Sequence, residues 1–584
     1  MEETIRKYCQ HYIPEDMCPY IKSGFLAILV VSGTAFLFSL FNRLRMRGKV
    51  KRAMEEARSK RAEQLKILKE KLQKSSLTEE KRKRILSLDI VQLQKRLKDR
   101  SLKAIDVLHA YQYKALEAQE KTNCIVALIP EAEELALSCD SQPSVTKPLH
   151  GIPISLKETI ICKGLRQTWA LASSLLNPPA TDDSNFVKCL KELGAIPFVT
   201  TNVPQILMTI SCDNNIYGQT RNPHNADRCP GGSSGGEGAL IGYGGSILGV
   251  GTDQGGSIRC PSHFCGIYGL KTTLGRFGTG STKAILNHQT LIGDSIGPMT
   301  QTSDGLIVAA KALFSQEVFE MDPQISPIKF QDHLFESKKN LRIGYYVTDN
   351  VANTTPACQR AVLVAKKALE AKGHTMIEFT PPRVLDALCL AVKILWLDGR
   401  IKTRYIKHEK PSKEMLWERM FEGFNRIISA LIYPLDKTSS RFLSVMDGMT
   451  KHDDIYNLVN KKQDYDKEFA DAMQKQKLDA LICPVFGSPS LLINCPGFGR
   501  FPTYTLLYNL LNYPAVSMPV TKVTEEDVKK TYNTKSMVEY FMKKSIPGSV
   551  GLPVNIQVVA PTYKDELALR ITKELDSELK KKSN

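Results

Sequence analysis

The sequence has no Cys-x-x-Cys pair among its 14 cysteines, which run singly from Cys9 to Cys495. Cys260 and Cys265 lie close together, but no second pair or histidine cluster accompanies them, which argues against a structural zinc site. Dispersed thiols in a long chain read as reduced and mostly buried, in a protein that faces the cytosol. There is no His-x-x-x-His pattern for a catalytic metal and no Gly-x-x-x-x-Gly-Lys-Ser/Thr loop for a nucleotide phosphate. Internal repeats and low-complexity tracts are absent as well. No cofactor and no metal is expected. At 584 residues, 42% hydrophobic and 24% charged, the chain is neither a small stapled scaffold nor a disordered one.

Charge is present in excess, at +18 with histidine neutral. Most of it is local. Residues 43–103 carry 22 Lys plus Arg against 8 Asp plus Glu, or +14, and leave +4 for the rest of the chain. Immediately before them, Gly24–Phe41 forms 18 residues without a charge, a helix of ~27 Å and long enough for a hydrocarbon core. Arg43, Arg45, Arg47, Lys49, Lys51 and Arg52 follow that run, the reverse of a signal peptide. The expectation is a single-pass transmembrane helix over 24–41, with residues 1–23 lumenal and everything after Phe41 cytosolic. Ala53–Lys74 is rich in helix formers, with Leu65, Leu68 and Leu72 three and four apart. Residues 42–103 therefore read as a basic juxtamembrane helical segment, lying on anionic lipid or standing as a solvated stalk. They contain no aromatic residue to stack on bases, so no nucleic-acid partner is expected.

From residue 104 to 584 the pattern is globular. Apolar runs at Gly151–Leu156, Ala195–Thr200 and Ala480–Pro484 read as buried strands, and Asn185–Leu193, Pro356–Lys372 and Tyr465–Gln476 as helices. Alternation of the two predicts an α/β class with a covered mixed sheet and no linker that divides it. The densest unusual stretch is Pro230–Leu270, crowded with glycine and serine. Its Ile241, Ile247, Leu248, Val250, Ile258 and Phe264 demand burial, which a flexible linker would not offer. Glycine-rich backbone inside a core points to close approach of a ligand. Gly231–Gly235 also satisfies Gly-x-Ser-x-Gly, the nucleophile elbow of α/β-hydrolases, but Arg221–Pro230 before it reads as loop where that motif needs a strand.

GGSSGG at 231–236, GGSIR with its serine 24 residues after the first serine of GGSSGG, and SLKE 76 residues upstream of that first serine together resemble the amidase signature family. The longer runs GIPISLKE, TNVPQ, GTDQGGSIR, FCGIYGLK and VGLPVNIQ, with the N-terminal anchor, are most like its membrane-anchored members that cleave fatty acid amides. The resemblance implies a single large α/β/α domain around a twisted mixed sheet, a homodimer, and an endomembrane location such as the endoplasmic reticulum, with the catalytic domain cytosolic. It implies Ser257 as nucleophile, Ser233 as bridging serine and Lys157 as base, with backbone N–H groups of Gln254, Gly255, Gly256 and Ser257 for the oxyanion. A serine hydroxyl needs a positioned base, and a lysine serves as one only when burial keeps it neutral. Asp253 and Arg259 read as a structural ion pair. Leu207 and Met208 fall on the acyl-channel side, Met208 where the family generally has an aromatic; Thr534–Phe541 lacks an expected tryptophan. Met415–Phe442, with Met420, Phe424, Ile427, Ile428, Leu431 and Leu435 at helical spacing, matches the family's membrane-binding cap in position. An α/β-hydrolase esterase, a tRNA-dependent amidotransferase subunit of the same family, and a membrane-tethered binding protein that keeps the fold remain as alternatives.

Overall fold

A computed structural model of the chain describes residues 18–282, 291–396, 406, 408–412, 415, 424–446, 455–495 and 502–581, with side chains from residue 31 onward except that of Thr279. Eleven strands form one sheet: β1 (Ile125–Leu128), β2 (Pro153–Lys157), β3 (Ile196–Thr201), β4 (Leu248–Asp253), β5 (Tyr268–Lys271), β6 (Ser295–Thr300), β7 (Arg342–Tyr345), β8 (Thr375–Glu378), β9 (Ala480–Pro484), β10 (Ala515–Lys522) and β11 (Pro553–Val559). Their spatial order is β1-β3-β2-β4-β6-β5-β10-β11-β9-β7-β8. β3, β2 and β4 run parallel, as do β9, β7 and β8, while the middle of the sheet is antiparallel. The sheet is therefore mixed, as expected. Every residue of β2, β3 and β4 is buried, because helices cover both faces and leave no solvent side for polar alternation. That is why these strands read as continuous apolar runs.

The glycine-dense stretch folds as helix Gly235–Gly242, strand β4 and helix Arg259–Cys265, all inside the core. In parallel strands β2 and β4, Leu156 lies opposite Val250, which brings Lys157 and Thr252 out at neighbouring C-terminal ends. Ligand sites of open α/β sheets lie at such ends. Twelve described cysteines are buried and none is in a disulfide.

The basic segment differs from the expectation. One helix runs Cys18–Gln73, and from Val50 onward it is docked on the catalytic body. Val50, Ala53, Met54 and Ala57 pack against Ala172, Leu175, Ile216 and Tyr217, while Leu68 and Leu72 are buried further along. Arg58 Nε donates to Ile216 O at 2.7 Å, and Arg61 donates to Ile125 O at 3.2 Å and stacks 5.0 Å above Tyr217. Helices Glu79–Leu86 and Ile90–Lys98 follow, and their Ile85, Ile90, Leu93 and Leu97 enter the main core. The polar face carries the charge and the leucine stripe faces protein. It is not a free stalk, and its leucine stripe is taken up by the protein body.

Residues 1–17, and the side chains of Gly24–Val30 in the apolar run, lie outside the described residues. Among those described, no helix is long and apolar enough to cross a membrane. Of the run's remainder, Phe36, Leu37, Phe38 and Phe41 are exposed. Arg419, Met420 and Glu422 also lie outside the described residues. Beyond them, helices Asn425–Ile432 and Lys437–Met446 leave Phe424, Ile427, Leu431 and Leu435 exposed, Leu435 by 87%.

Removing residues 1–42 leaves the docked contacts intact. Removing residues 1–103 strips out Leu72, Ile85, Ile90, Leu93 and Leu97, all buried. At about 1.5–3 kcal/mol per side chain, the second loss rivals the roughly 5–15 kcal/mol that holds a whole domain. Urea unfolding is expected to give a cooperative transition for the first truncation and none for the second.

Candidate active site

Lys157 ends β2 with its side chain fully buried. Its Nζ lies 2.8 Å from Ser233 Oγ, 2.7 Å from Thr252 Oγ1 and 3.4 Å from Thr252 O. Burial lowers the pKa of the amine, and Asp294 and Asp253 oppose that shift by attraction. Ser233 follows a cis Gly232–Ser233 peptide bond. Ser234 behind it ties two motifs together: its N–H donates to Ser257 O at 3.1 Å and its Oγ meets Thr252 O at 3.3 Å. Ser233 and Ser257 line one cavity with Gln254, Gly255 and Gly256. The three sequence-predicted residues Lys157, Ser233 and Ser257 are thus assembled at one place.

The turn between β4 and helix Arg259–Cys265 is held by a buried fork. Arg259 Nε donates to Asp253 Oδ2 at 3.0 Å and Arg259 Nη2 to Asp253 Oδ1 at 2.9 Å, with both side chains fully buried. Asn509 Nδ2 donates to Asp253 Oδ1 at 3.0 Å, and Arg259 Nη1 donates to Gln557 Oε1 at 3.0 Å. Burial alone would raise the Asp253 carboxyl; the Arg259 charge and these hydrogen bonds hold it well below the ordinary carboxylate range. The pair is structural, as expected. It also corrects the oxyanion set, because Gly256 N–H donates to Asp253 Oδ1 at 2.7 Å and is already used. Gly255 and Ser257, beside it in the same turn, line the cavity. Gly256 has φ +126, and a Cβ there would stand 2.2 Å from Thr505 Oγ1, so only glycine fits. Beneath the site, Glu237 accepts from Ser155 Oγ at 2.6 Å and Thr201 Oγ1 at 2.7 Å, and burial raises its pKa to about 7. A Cβ on Gly249 would stand 2.0 Å from that carboxylate.

Away from the serines the cavity wall is apolar. Leu207 and Met208 line it as expected, joined by Val392, Leu395, Trp396, Met446 and Leu506. The Thr534–Phe541 stretch does not line it: helix Met537–Lys544 packs Val538 and Met542 elsewhere. Among the described residues no histidine lines the cavity; buried His263 meets Ser488 O at 2.9 Å and Asn555 N at 3.0 Å. Among the described residues, then, no Ser-His-Asp arrangement is assembled at these serines.

A family model described as Amidase matches residues 106–569. The chain belongs to the amidase family. It is an amide-hydrolysing enzyme by that membership. Fatty acid amide hydrolase 1 of Caenorhabditis elegans is 35% identical over 573 residues, 94% of this chain and 98% of that protein. Fatty-acid amide hydrolase 1 of Sus scrofa is 36% identical over 503 residues, 84% of this chain and 86% of that one. A solved structure of a fatty acid amide hydrolase superposes with a TM-score of 0.75 at 26% identity, covering 92% of this chain and 95% of its own.

Several parts of this amidase's site escape a reading of motifs. Thr252 sits inside GTDQGGSIR, yet only the β2–β4 register aims its hydroxyl at Lys157. Trp396, Val392 and Leu395 arrive from helix Val384–Leu395 and its end, with no local signal of proximity to the serines. Arg259→Leu would leave Asp253 buried, charged and without its cation. The expected cost is about 3–5 kcal/mol in urea unfolding. Arg259→Lys should recover little of it, since a point charge cannot reproduce the fork.

Proposed function

We propose that this amidase hydrolyses fatty acid amides, N-acylethanolamines and primary fatty amides, to the free fatty acid and an amine or ammonia. The observation that carries the reading is the fully buried Lys157 Nζ at 2.8 Å from Ser233 Oγ, beside Ser257 at the floor of an apolar cavity. The similarity to fatty acid amide hydrolases points the same way.

In this mechanism Ser257 Oγ attacks the amide carbonyl. Its proton passes to Ser233 Oγ while the Ser233 proton passes to the lone pair of Lys157 Nζ. The oxyanion forms beside the N–H groups of Gly255 and Ser257, where one lost donor typically costs about 2.7–4 kcal/mol of transition-state stabilisation. Returning the proton along the same path to the amide nitrogen breaks the C–N bond, since an unprotonated amine is a poor leaving group. An ester on Ser257 remains. Water then adds to it, its proton taken by the same pair, and the ester C–O bond breaks to release fatty acid and restore Ser257. Cavity walls of Leu207, Met208, Val392, Leu395, Trp396 and Leu506 suit an acyl chain and offer a polar chain no partner.

The reading includes a membrane-held homodimer on an endomembrane such as the endoplasmic reticulum, with its catalytic body in the cytosol. Support comes from the uncharged run Gly24–Phe41 and the basic flank behind it. The exposed row Phe424, Ile427, Leu431 and Leu435 supports a second contact with the bilayer. A chain truncated before residue 43 is expected to keep its activity in detergent and to stay partly membrane-associated through that row, as measured by flotation with liposomes.

Fluorophosphonate labelling with turnover of oleamide and an acylethanolamide tests the chemistry. Ser257→Ala should lose both labelling and turnover, whereas a wild type that labels without cleaving either lipid would sink the substrate assignment. Lys157→Ala should remove amide turnover at neutral pH.

The pH dependence follows from the lysine. Lys157 accepts a proton only when neutral, so kcat should rise with pH through its lowered pKa. Asp294 raises that pKa by attraction. Asp294→Asn should therefore move the acid limb of the kcat profile to lower pH; a limb that stays put or moves up would show that Asp294 does not act on the base.

A further inference from the structure

The wall that carries Leu207 and Met208 is held from behind by a half-buried carboxylate, Glu409, set among amide donors. Glu409 Oε1 accepts from Ala172 N–H at 2.6 Å, and Glu409 Oε2 accepts from Gln205 Nε2 at 2.8 Å and Asn215 Nδ2 at 3.2 Å. Gln205 is fully buried and bound on its other side, where its Oε1 accepts from Ser412 N–H at 2.7 Å. Asn215 Nδ2 also donates to Lys410 O at 2.5 Å. Residues 408–412 are thus strapped across the turn Gln205–Leu207. That turn needs holding: Ile206 and Leu207 both have left-handed backbones, with φ 52 and 61, where a β-branched residue is uncommon. Behind it, Ile406 and Met415 pack with Leu171 and Ile206, and against them lie Met208 and Trp396 of the cavity wall.

We infer that Glu409 is a positioning residue that holds the Leu207–Met208 wall and so sets the acyl-chain preference of the enzyme. The inference rests on the fatty-amide reading above. The described groups that hydrogen-bond the carboxylate, Ala172 N–H, Gln205 Nε2 and Asn215 Nδ2, are all donors, so an acceptor is required at both oxygens. Glu409→Gln keeps the volume and turns one oxygen into a donor aimed at donors. Neither Glu409 nor Gln205 lines the cavity, and Lys157, Ser233 and Ser257 keep their contacts, so the effect should appear as substrate binding that grows with chain length. The same Asn215 and Ile216 carbonyls accept from Arg58 at 2.5 Å and 2.7 Å, which joins the strap to the docked basic helix.

The test is steady-state kinetics of the full chain on acyl p-nitroanilides from hexanoyl to oleoyl, with the rate of fluorophosphonate labelling as a check on the folded site. Glu409→Gln is expected to raise KM for the oleoyl substrate about tenfold, with kcat, hexanoyl KM and labelling rate unchanged. Gln205→Glu, which places a second carboxylate against Glu409, should give the same chain-length profile. A variant that keeps the wild-type profile, or that loses hexanoyl and oleoyl turnover together, overturns the inference and leaves the fatty-amide reading standing. A wild type whose kcat/KM is flat from hexanoyl to oleoyl overturns both.

Discussion

A lysine amine without solvent is the constraint around which this structure is arranged. An isolated ammonium in a dry interior is costly, and the amine relieves that cost by giving up its proton. Yet a neutral amine still has two N–H groups and a lone pair to satisfy. Around Lys157 stand two hydroxyls, of Ser233 and Thr252, and one carbonyl, of Thr252. A hydroxyl can donate or accept, so this set serves the neutral amine and, by rotation, the ammonium with its three donors. The group can change its charge without orphaning a partner. A carboxylate in direct contact would have fixed the proton on nitrogen, and Asp253 is turned away into the Arg259 fork.

That fork explains why the glycine-rich turn is rigid in spite of its composition. Asp253 takes up the N–H groups of Gly256, Ile258 and Arg259 as well as the guanidinium, so one carboxylate stitches the start of the helix to the end of β4. The backbone that remains, at Gly255 and Ser257, is held at the cavity with its orientation already set. Preorganised donors of this kind stabilise developing charge because they need no reorientation when it appears. The ion pair does no chemistry, but the position of Ser257 depends on it.

Much of this was legible from residue order. β2, β3 and β9 lie where apolar runs abut glycine or proline, since strands buried on both faces leave a continuous signal. Lys157, Ser233 and Ser257 are marked by spacing that three independent motifs share. What the order hides is set by tertiary register. Thr252 reaches Lys157 because β2 pairs with β4 one way and not another, and Gly256 N–H is diverted to a carboxylate that in sequence looks merely adjacent. Charge misled in the basic segment. Its lysines and arginines read as a surface for lipid, whereas the sparse leucines and isoleucines between them decide the packing, because about 1.5–3 kcal/mol for each buried side chain outweighs exposed charge pairs worth about 0–1 kcal/mol.

The docked helix has a mechanical consequence. Cys18–Gln73 is one uninterrupted helix, and its one proline, Pro19, stands in the first turn, where it produces no bend. Its downstream half is gripped by Ile216, Tyr217 and Ala172, and Ala172 and the neighbouring Asn215 are also partners of Glu409. A load on the upstream half, from a bilayer if Gly24–Phe41 spans one, therefore arrives at the loops that brace the acyl wall and not at a flexible tether. The salt bridges Lys69–Glu120 at 3.1 Å and Lys81–Asp106 at 2.7 Å add little energy because their lysines stand in solvent. They do fix the rotational setting of the basic segment on the body. The N-terminal helix and the active site are thus joined by packing, and the orientation of one constrains the other.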